Sequence, residues 1–105
     1  MDKAPSHLSK AAREWWEKIR SEHGIDDHAG RLLLQTSLEA YDRMKQAQSA
    51  IKRDGPTVKD RFDQDKAHPL LTTERDSRAQ MLAALKALNL DLEPLADGPG
   101  RPPGR

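Results

Sequence analysis

The stretch from Asp27 to Asp54 constrains the fold most, because it predicts a single long helix. Asp27 can act as the N-cap, since a short carboxylate accepts hydrogen bonds from the free N–H groups of a first helical turn. The helix is predicted to end at Asp54, because Gly55 can take the left-handed conformation and Pro56 cannot continue a helix. At a rise of about 1.5 Å per residue this helix is about 40 Å long, longer than most helices of small domains.

Apolar residues form two stripes along this helix. One stripe comprises Ala29, Leu33, Ala40, Met44, Ala47 and Ile51, and the other comprises Leu34, Leu38 and Tyr41. The two stripes lie roughly 100° apart on a helical wheel, and an apolar arc of that width needs more than one neighbour to cover it. We expect Leu34, Leu38 and Tyr41 to face a neighbouring copy of the chain.

The composition favours a small all-helical core. Of the 105 residues, 33% are charged and 4% aromatic, so the core is expected to consist mainly of leucine and alanine. One domain is expected at this length; residues 1–92 are predicted to form it, and residues 93–105, rich in proline and glycine, a flexible tail. The chain has no cysteine, which excludes disulfides and thiolate metal sites. We find neither a signal peptide nor an apolar run long enough to span a membrane.

A first helix is predicted to begin after the N-cap Ser9 and to run through about His23, where Gly24 ends it, before the long helix. Trp15 lies near the middle of its apolar face and Trp16 at the edge. We expect both tryptophans to anchor the core. The alternative is a half-exposed surface in which Arg13 and Arg20, one turn away on either side, lie beside the Trp16 ring.

A third helix is predicted from about Pro69 to Asn89. The connection before it, residues 56–68, contains only two large apolar residues and is compatible with a short β-hairpin or an extended crossover. Glu74 and Arg78 interrupt the apolar face of the third helix four residues apart, so they can form an ion pair at a domain or subunit boundary. The first two helices are joined by a short link and should form an antiparallel hairpin.

No catalytic or metal-binding motif is present. The sequence contains no glycine-rich phosphate loop, no G-x-S-x-G and no H-E-x-x-H, and its four histidines lack the helical spacing of metal ligands. The aspartates of residues 60–65 lack the spacing, glycine and closing glutamate of a calcium-binding EF-hand loop. We therefore expect no enzymatic activity, no cofactor and no metal.

The charges are nearly balanced, with a formal net charge of +1, and no segment has the basic excess typical of nucleic-acid binders. If the chain contacts double-stranded DNA, binding is predicted to be weak, tolerant of sequence and salt-dependent, and stronger where several copies align their basic residues. Our candidates for phosphate contacts are Lys10, Arg13, Arg20, Arg31, Lys52 and Arg53.

Three segments, in this order and spacing, resemble the small subunit of phage-type terminases. They are His7-Leu-Ser-Lys-Ala-Ala-Arg-Glu-Trp-Trp16, the long helix with Glu39-Ala-Tyr-Asp-Arg43 and Asp54-Gly55, and Ala67-His-Pro-Leu-Leu-Thr-Thr-Glu-Arg-Asp-Ser-Arg-Ala-Gln-Met81 followed by Leu85-Lys-Ala-Leu-Asn-Leu90. The resemblance covers about residues 7–92. It implies a helical protein in the host cytoplasm that assembles into a ring, binds DNA and engages the large terminase subunit, which holds the ATPase and nuclease.

The chain is shorter than this family's pattern, with little sequence before the first helix or after the third. A packager of DNA with little sequence preference, as in phage-derived gene transfer agents, fits the reduced form. We expect the tail to dock the large subunit through Leu90, Leu92 and Leu95, with Arg101 and Arg105 meeting an acidic patch. The alternative function is a small helical regulator or interaction module that acts as a dimer and has no packaging role.

Overall fold

The long helix is the centre of the fold in the computed structural model, which describes residues 3–90. The elements are, in chain order, α1 (Lys10–His23), α2 (His28–Asp54), β1 (Thr57–Lys59), β2 (Asp65–Ala67) and α3 (Leu70–Ala87). The prediction of three helices, with a small β-hairpin in the connection, is confirmed.

The helix ends follow from side chains that satisfy free backbone groups. Ser9 caps α1, where its hydroxyl accepts a hydrogen bond from the Ala12 N–H, and Asp27 caps α2 by accepting from the Gly30 N–H. At the end of α1, Gly24 adopts a left-handed conformation with φ of 61°. The capping residues recognised in the sequence therefore set the boundaries of both helices.

Both α1 and α3 pack antiparallel on α2. The start of α1 lies at the middle of α2, where Asp42 accepts hydrogen bonds from the backbone N–H and hydroxyl of Ser9. The contacts of α3 run antiparallel along α2. His68, just before α3, hydrogen-bonds Asp54 at the end of α2, and Gln80, later in α3, hydrogen-bonds Arg43 near the middle of α2. One face of α2 is thus covered along most of its length, and a second face only over its first half.

The second apolar stripe of α2 belongs to the chain's own core. Leu34 and Leu38 are buried together with Leu8, Ala12, Trp16 and Ile25, and Tyr41 packs against this cluster half-buried. Leu34 is fully buried within the chain, so the expectation that it faces a neighbouring copy is wrong, whereas for Leu38 and Tyr41, which also line an apolar groove, the expectation stays a prediction. The physical reason is that α1 lies over this stripe while α3 lies over the other, so one chain supplies both neighbours.

Trp16, predicted at the edge of the apolar face of α1, is the buried tryptophan, and Trp15, predicted near the middle of that face, is the exposed one. Trp16 is 3% exposed and anchors the core, whereas Trp15 is 45% exposed and carries the Lys18 ammonium 5.3 Å from its ring. The prediction of a core anchor is confirmed for Trp16 and wrong for Trp15, and because Trp16 is buried, the alternative of a half-exposed surface at its ring is also wrong. The exposed tryptophan is Trp15, and its cation is a lysine.

The connection between α2 and α3 is a two-stranded antiparallel hairpin. Thr57 pairs with Ala67, Val58 with Lys66, and Lys59 with Asp65. The turn between the strands is closed by Asp60, whose carboxylate accepts hydrogen bonds from the backbone N–H groups of Phe62 and Gln64. The hairpin extends from the C-terminal end of α2.

Candidate interaction surfaces

His68 joins the end of α2, the hairpin and the start of α3. Its Nδ1 accepts a hydrogen bond from the Leu70 N–H at 3.1 Å, so the ring hydrogen lies on Nε2, which donates to Asp54 at 3.0 Å. Its backbone N–H donates to the Pro56 carbonyl oxygen. Hydrogen bonds from Arg53 and then from His68 hold the pKa of the Asp54 carboxyl well below its usual range. This buried junction fixes the hairpin relative to both helices.

The predicted pair of Glu74 and Arg78 is present, and it lies at a boundary within the chain. The Glu74 carboxylate accepts hydrogen bonds from Arg78 and from the side-chain amide of Gln48 on α2. These two hydrogen bonds, that of Gln48 first, lower the pKa of Glu74. The arrangement connects α3 to α2, and a contact of these residues with another copy remains a prediction.

A third carboxylate holds the N-terminal segment. Glu39 accepts hydrogen bonds from Gln35 on its own helix at 3.0 Å and from His7 at 2.7 Å. Both lower the pKa of Glu39, with Gln35 contributing most. Glu39, Asp54 and Glu74 therefore each connect α2 to another part of the chain, and each favours the charged state.

The six predicted DNA contacts are not gathered into one patch. Arg20 holds the α1–α2 turn, where its guanidinium donates to the Ile25 carbonyl and approaches Asp26, and its side chain is only 13% exposed. Arg13 donates to backbone carbonyl groups before α1, Arg31 contacts His28, and Arg53 pairs with Asp54. Lys10 and Lys52 are exposed.

The predicted DNA contacts include Lys52 and Arg53 but omit Arg43 and Lys45, which belong to the same basic stretch of α2. Residues 43–53 contain four basic residues and no acidic one, and all four basic side chains are exposed. Lys45 and Lys52 follow Leu38 at intervals of seven residues, about two helical turns, so all three lie along one line of the helix. Because α1 covers this line only at Leu38, the two lysines lie beyond its N-terminal end, where Lys10 begins α1. Basic and acidic residues are balanced over the segment that contains α2 as a whole, so this line of lysines does not stand out in the sequence.

An apolar groove lies between α1 and α3, with α2 as its floor. It encloses about 310 Å³ and is lined by Trp15, Ile19, Tyr41, Met44, Met81 and Leu85, among others. The groove continues past Ile19 and Leu85 toward Leu82, which is 55% exposed, and Leu90. Aromatic and methionine side chains dominate its wall, a composition suited to accepting another apolar side chain.

Within residues 3–90, no cluster of three or more metal-ligating side chains is present. None of the helices in this part of the chain has the length and apolar character needed to cross a membrane. Of the predicted docking residues, Leu90 lies half-buried against the core, while Leu92, Leu95, Arg101 and Arg105 lie outside the described residues.

The described part of the chain is a small three-helix protein with a β-hairpin, an apolar groove and a line of exposed lysines. A family model described as phage terminase, small subunit, matches residues 11–94, and the chain belongs to that family. Membership points to a role in phage DNA packaging, in which small subunits are generally the non-catalytic members and have DNA and the large subunit as partners. No curated protein and no solved structure matches the chain significantly.

Proposed function

We propose that this protein is a DNA-packaging adaptor: copies assemble, bind duplex DNA with little sequence preference and recruit the large terminase subunit. The observation that carries the proposal is the family match over residues 11–94. An assembly with a closed ring is the form we expect from the family resemblance. A stable monomer in solution, or a dimer that binds neither DNA nor the large subunit, would favour the alternative of a small helical regulator.

DNA contact is proposed along the line of Lys45 and Lys52, with Lys10 at its end. Exposed lysines on one helical line can contact successive phosphates, and such contacts position a protein without reading sequence. A single chain offers few of them, so its affinity is low, and an assembly raises it by adding the lines of several copies. Duplex binding should weaken steeply as salt rises, because each neutralised phosphate releases counterions.

The test is the double variant Lys45→Gln/Lys52→Gln, with binding to a mixed-sequence duplex measured from low to moderate salt. Removing two phosphate contacts should weaken binding and flatten the slope of log K against log[salt] by about 2 per copy engaged. The matched control is Lys3→Gln/Arg75→Gln, which removes the same charge at exposed positions outside α2 and outside the hairpin. An unchanged slope in the α2 variant, or an equal loss in both variants, contradicts this DNA surface.

Recruitment of the large subunit is proposed for the tail, with Leu92 and Leu95 as apolar anchors and Arg101 and Arg105 as charges. A short segment with few anchors binds modestly, and several copies in one assembly multiply its effect. Truncation after Leu90 keeps the leucine that packs against the core. The truncated protein should keep its native mass and its DNA binding and lose binding to the large subunit. Full binding to the large subunit after truncation contradicts the role, and loss of DNA binding alone assigns the tail to DNA.

A further inference from the structure

The tip of the hairpin presents an exposed aromatic side chain on a fixed backbone. Phe62 is 69% exposed, with the Arg61 guanidinium 5.2 Å from its ring. The Asp60 carboxylate accepts from the Phe62 and Gln64 N–H groups at 2.8 and 3.0 Å, and the Asp63 N–H donates to the Asp60 carbonyl. Asp63 adopts a φ of 62°, which is uncommon for a residue other than glycine. A turn fixed in this way loses little conformational entropy when its exposed side chain is bound.

The groove between α1 and α3 is a suitable receptor for such a side chain. Its 310 Å³ volume accommodates one aromatic ring, and Trp15, Tyr41 and the two methionines offer it edge-to-face and sulfur contacts. The Trp15 ring is 45% exposed and Leu82 at the groove's extension is 55% exposed. These are large apolar surfaces that association would remove from water.

We propose that Phe62 of one copy inserts into the α1–α3 groove of the next copy and forms the contact between subunits. This inference rests on the proposed function, because it names the surfaces through which the copies assemble. Phe62 does not fill the groove of its own chain, since its side chain is 69% exposed and is not among the residues that line the groove. The His68 junction holds the hairpin at the end of α2, whereas the groove lies over α2 around Met44, ten residues or about 15 Å back along the helix.

The charges around the two surfaces favour a protein partner for the hairpin. Residues 57–67 contain three basic and three acidic residues, so the hairpin has no net attraction for phosphates. Phe62 lies between Arg61 and Asp63 in the turn, whereas Lys18 lies over Trp15 and Lys86 lines the groove's extension. Asp63 at the tip can therefore meet these basic residues at the rim. Glu22, also at this rim, can meet Arg61.

The symmetry of the resulting assembly follows from the use of two different surfaces. A contact in which one copy gives a hairpin and the next gives a groove is heterologous, so in any pair of copies one keeps a free groove and the other a free hairpin. Such contacts propagate until the rotation between neighbours closes a ring, or continue as a filament. A dimer would leave one hairpin and one groove unused.

The chain contains no cysteine, which permits a direct crosslinking test. Phe62→Cys and Leu82→Cys are purified separately, mixed and oxidised, and we expect a disulfide-linked heterodimer on a non-reducing gel. The matched control pairs Phe62→Cys with Leu32→Cys, which places the thiol at another exposed leucine, 64% exposed on α2 and outside the groove lining. Equal crosslinking of both pairs, or none of the first pair, overturns the proposal.

The native mass of Phe62→Ser separates this contact from the proposed function. Phe62 is exposed, so the variant should fold with unchanged helicity and fail to assemble at concentrations where the wild type assembles. A variant with the full wild-type mass overturns the contact and leaves the packaging role standing. A variant that keeps its mass and loses DNA binding assigns the hairpin to DNA and also overturns the contact. A wild type that remains monomeric while binding neither DNA nor the large subunit contradicts the proposed function itself.

Discussion

His68 connects the end of α2 to the start of α3 through its side chain. It is 6% exposed, and its ring bonds both the Asp54 carboxylate and the Leu70 N–H. We expect His68→Ala to destabilise the protein by about 1–3 kcal/mol, because it leaves a largely buried N–H without its acceptor and removes a partner of the carboxylate. The change is measured as the free energy of unfolding in urea by circular dichroism.

The matched control is His7→Ala, the other histidine that donates to a carboxylate of α2. His7 meets Glu39 at 2.7 Å, but its side chain is 55% exposed. An exposed pair of this kind contributes little, so we expect a change under about 1 kcal/mol. Equal decreases in the free energy of unfolding of the two variants would show that the burial of His68 adds nothing to the stability of the protein.

The sequence around Trp15 and Trp16 does not decide which of the two tryptophans is buried. Adjacent residues differ by about 100° around a helix, so a wide apolar face accommodates either one as its centre. The choice depends on how α1 is rotated against α2, and Ser9 helps to fix that rotation through two hydrogen bonds to Asp42. Asp42 is 33 residues away from Ser9, and nothing in the sequence near the tryptophans indicates it.

At the scale of the element, the start of α2 depends on a glycine inside the helix. Gly30 is buried, and a methyl group at its Cα would lie 2.6 Å from the Asp27 carboxylate oxygen and 2.9 Å from the Ile25 side chain. Alanine is normally favoured over glycine within a helix by roughly 0.5–1 kcal/mol. Here we expect Gly30→Ala to destabilise by about 1–3 kcal/mol, because it displaces the N-cap and a core residue.

The comparison for Gly30→Ala is Thr36→Ala, at an exposed position of the same helix. That change should be neutral or slightly stabilising, since alanine has the higher helix propensity. Thermal unfolding of the two variants beside the wild type provides the measurement. A Gly30→Ala variant that is more stable than the wild type would mean that Asp27 and Ile25 can move aside at no cost.

The helices themselves were predictable, and their partners were not. Ser9, Asp27 and Gly24 are local signals, so the boundaries of α1 and the start of α2 follow from sequence alone. The stripe of Leu34 and Leu38 is apolar and buried, as predicted, but α1 of the same chain covers it. Periodicity shows which side of a helix is buried, but it carries no information on whether the covering helix belongs to the same chain.

The line of Lys45 and Lys52 on α2 could not be predicted from the local sequence for a related reason. Lys45 and Lys52 become a surface only because α1 ends before it reaches them. Charge counted over a whole segment combines them with Glu39, Asp42 and Asp54 of the same helix. The candidate DNA surface therefore depends on the length and position of a neighbouring helix, which the local sequence does not specify.

At the scale of the whole molecule, three carboxylates connect α2 to the rest of the fold, and this arrangement predicts a response to acid. Glu39 meets His7, Asp54 meets His68, and Glu74 is met by Gln48 of α2. Hydrogen bonds lower the pKa of each carboxyl in the folded protein. In the unfolded chain these groups titrate at about 3.9 for aspartate and 4.3 for glutamate.

A pKa that is lower in the folded state means that the unfolded chain takes up protons first as the pH falls. The stabilisation from these carboxylates is therefore complete above about pH 5 and is lost as the pH falls through about 4 toward the folded values. We expect the free energy of unfolding, measured in urea, to decrease between pH 4.5 and 3. The variant Glu39→Gln/Glu74→Gln retains a hydrogen-bonding side chain at both positions without a titrating group, so its decrease over the same range should be smaller. A stability that holds constant or rises on acidification, or an equal decrease in the variant and the wild type, would show that these connections do not depend on the charge of Glu39 and Glu74.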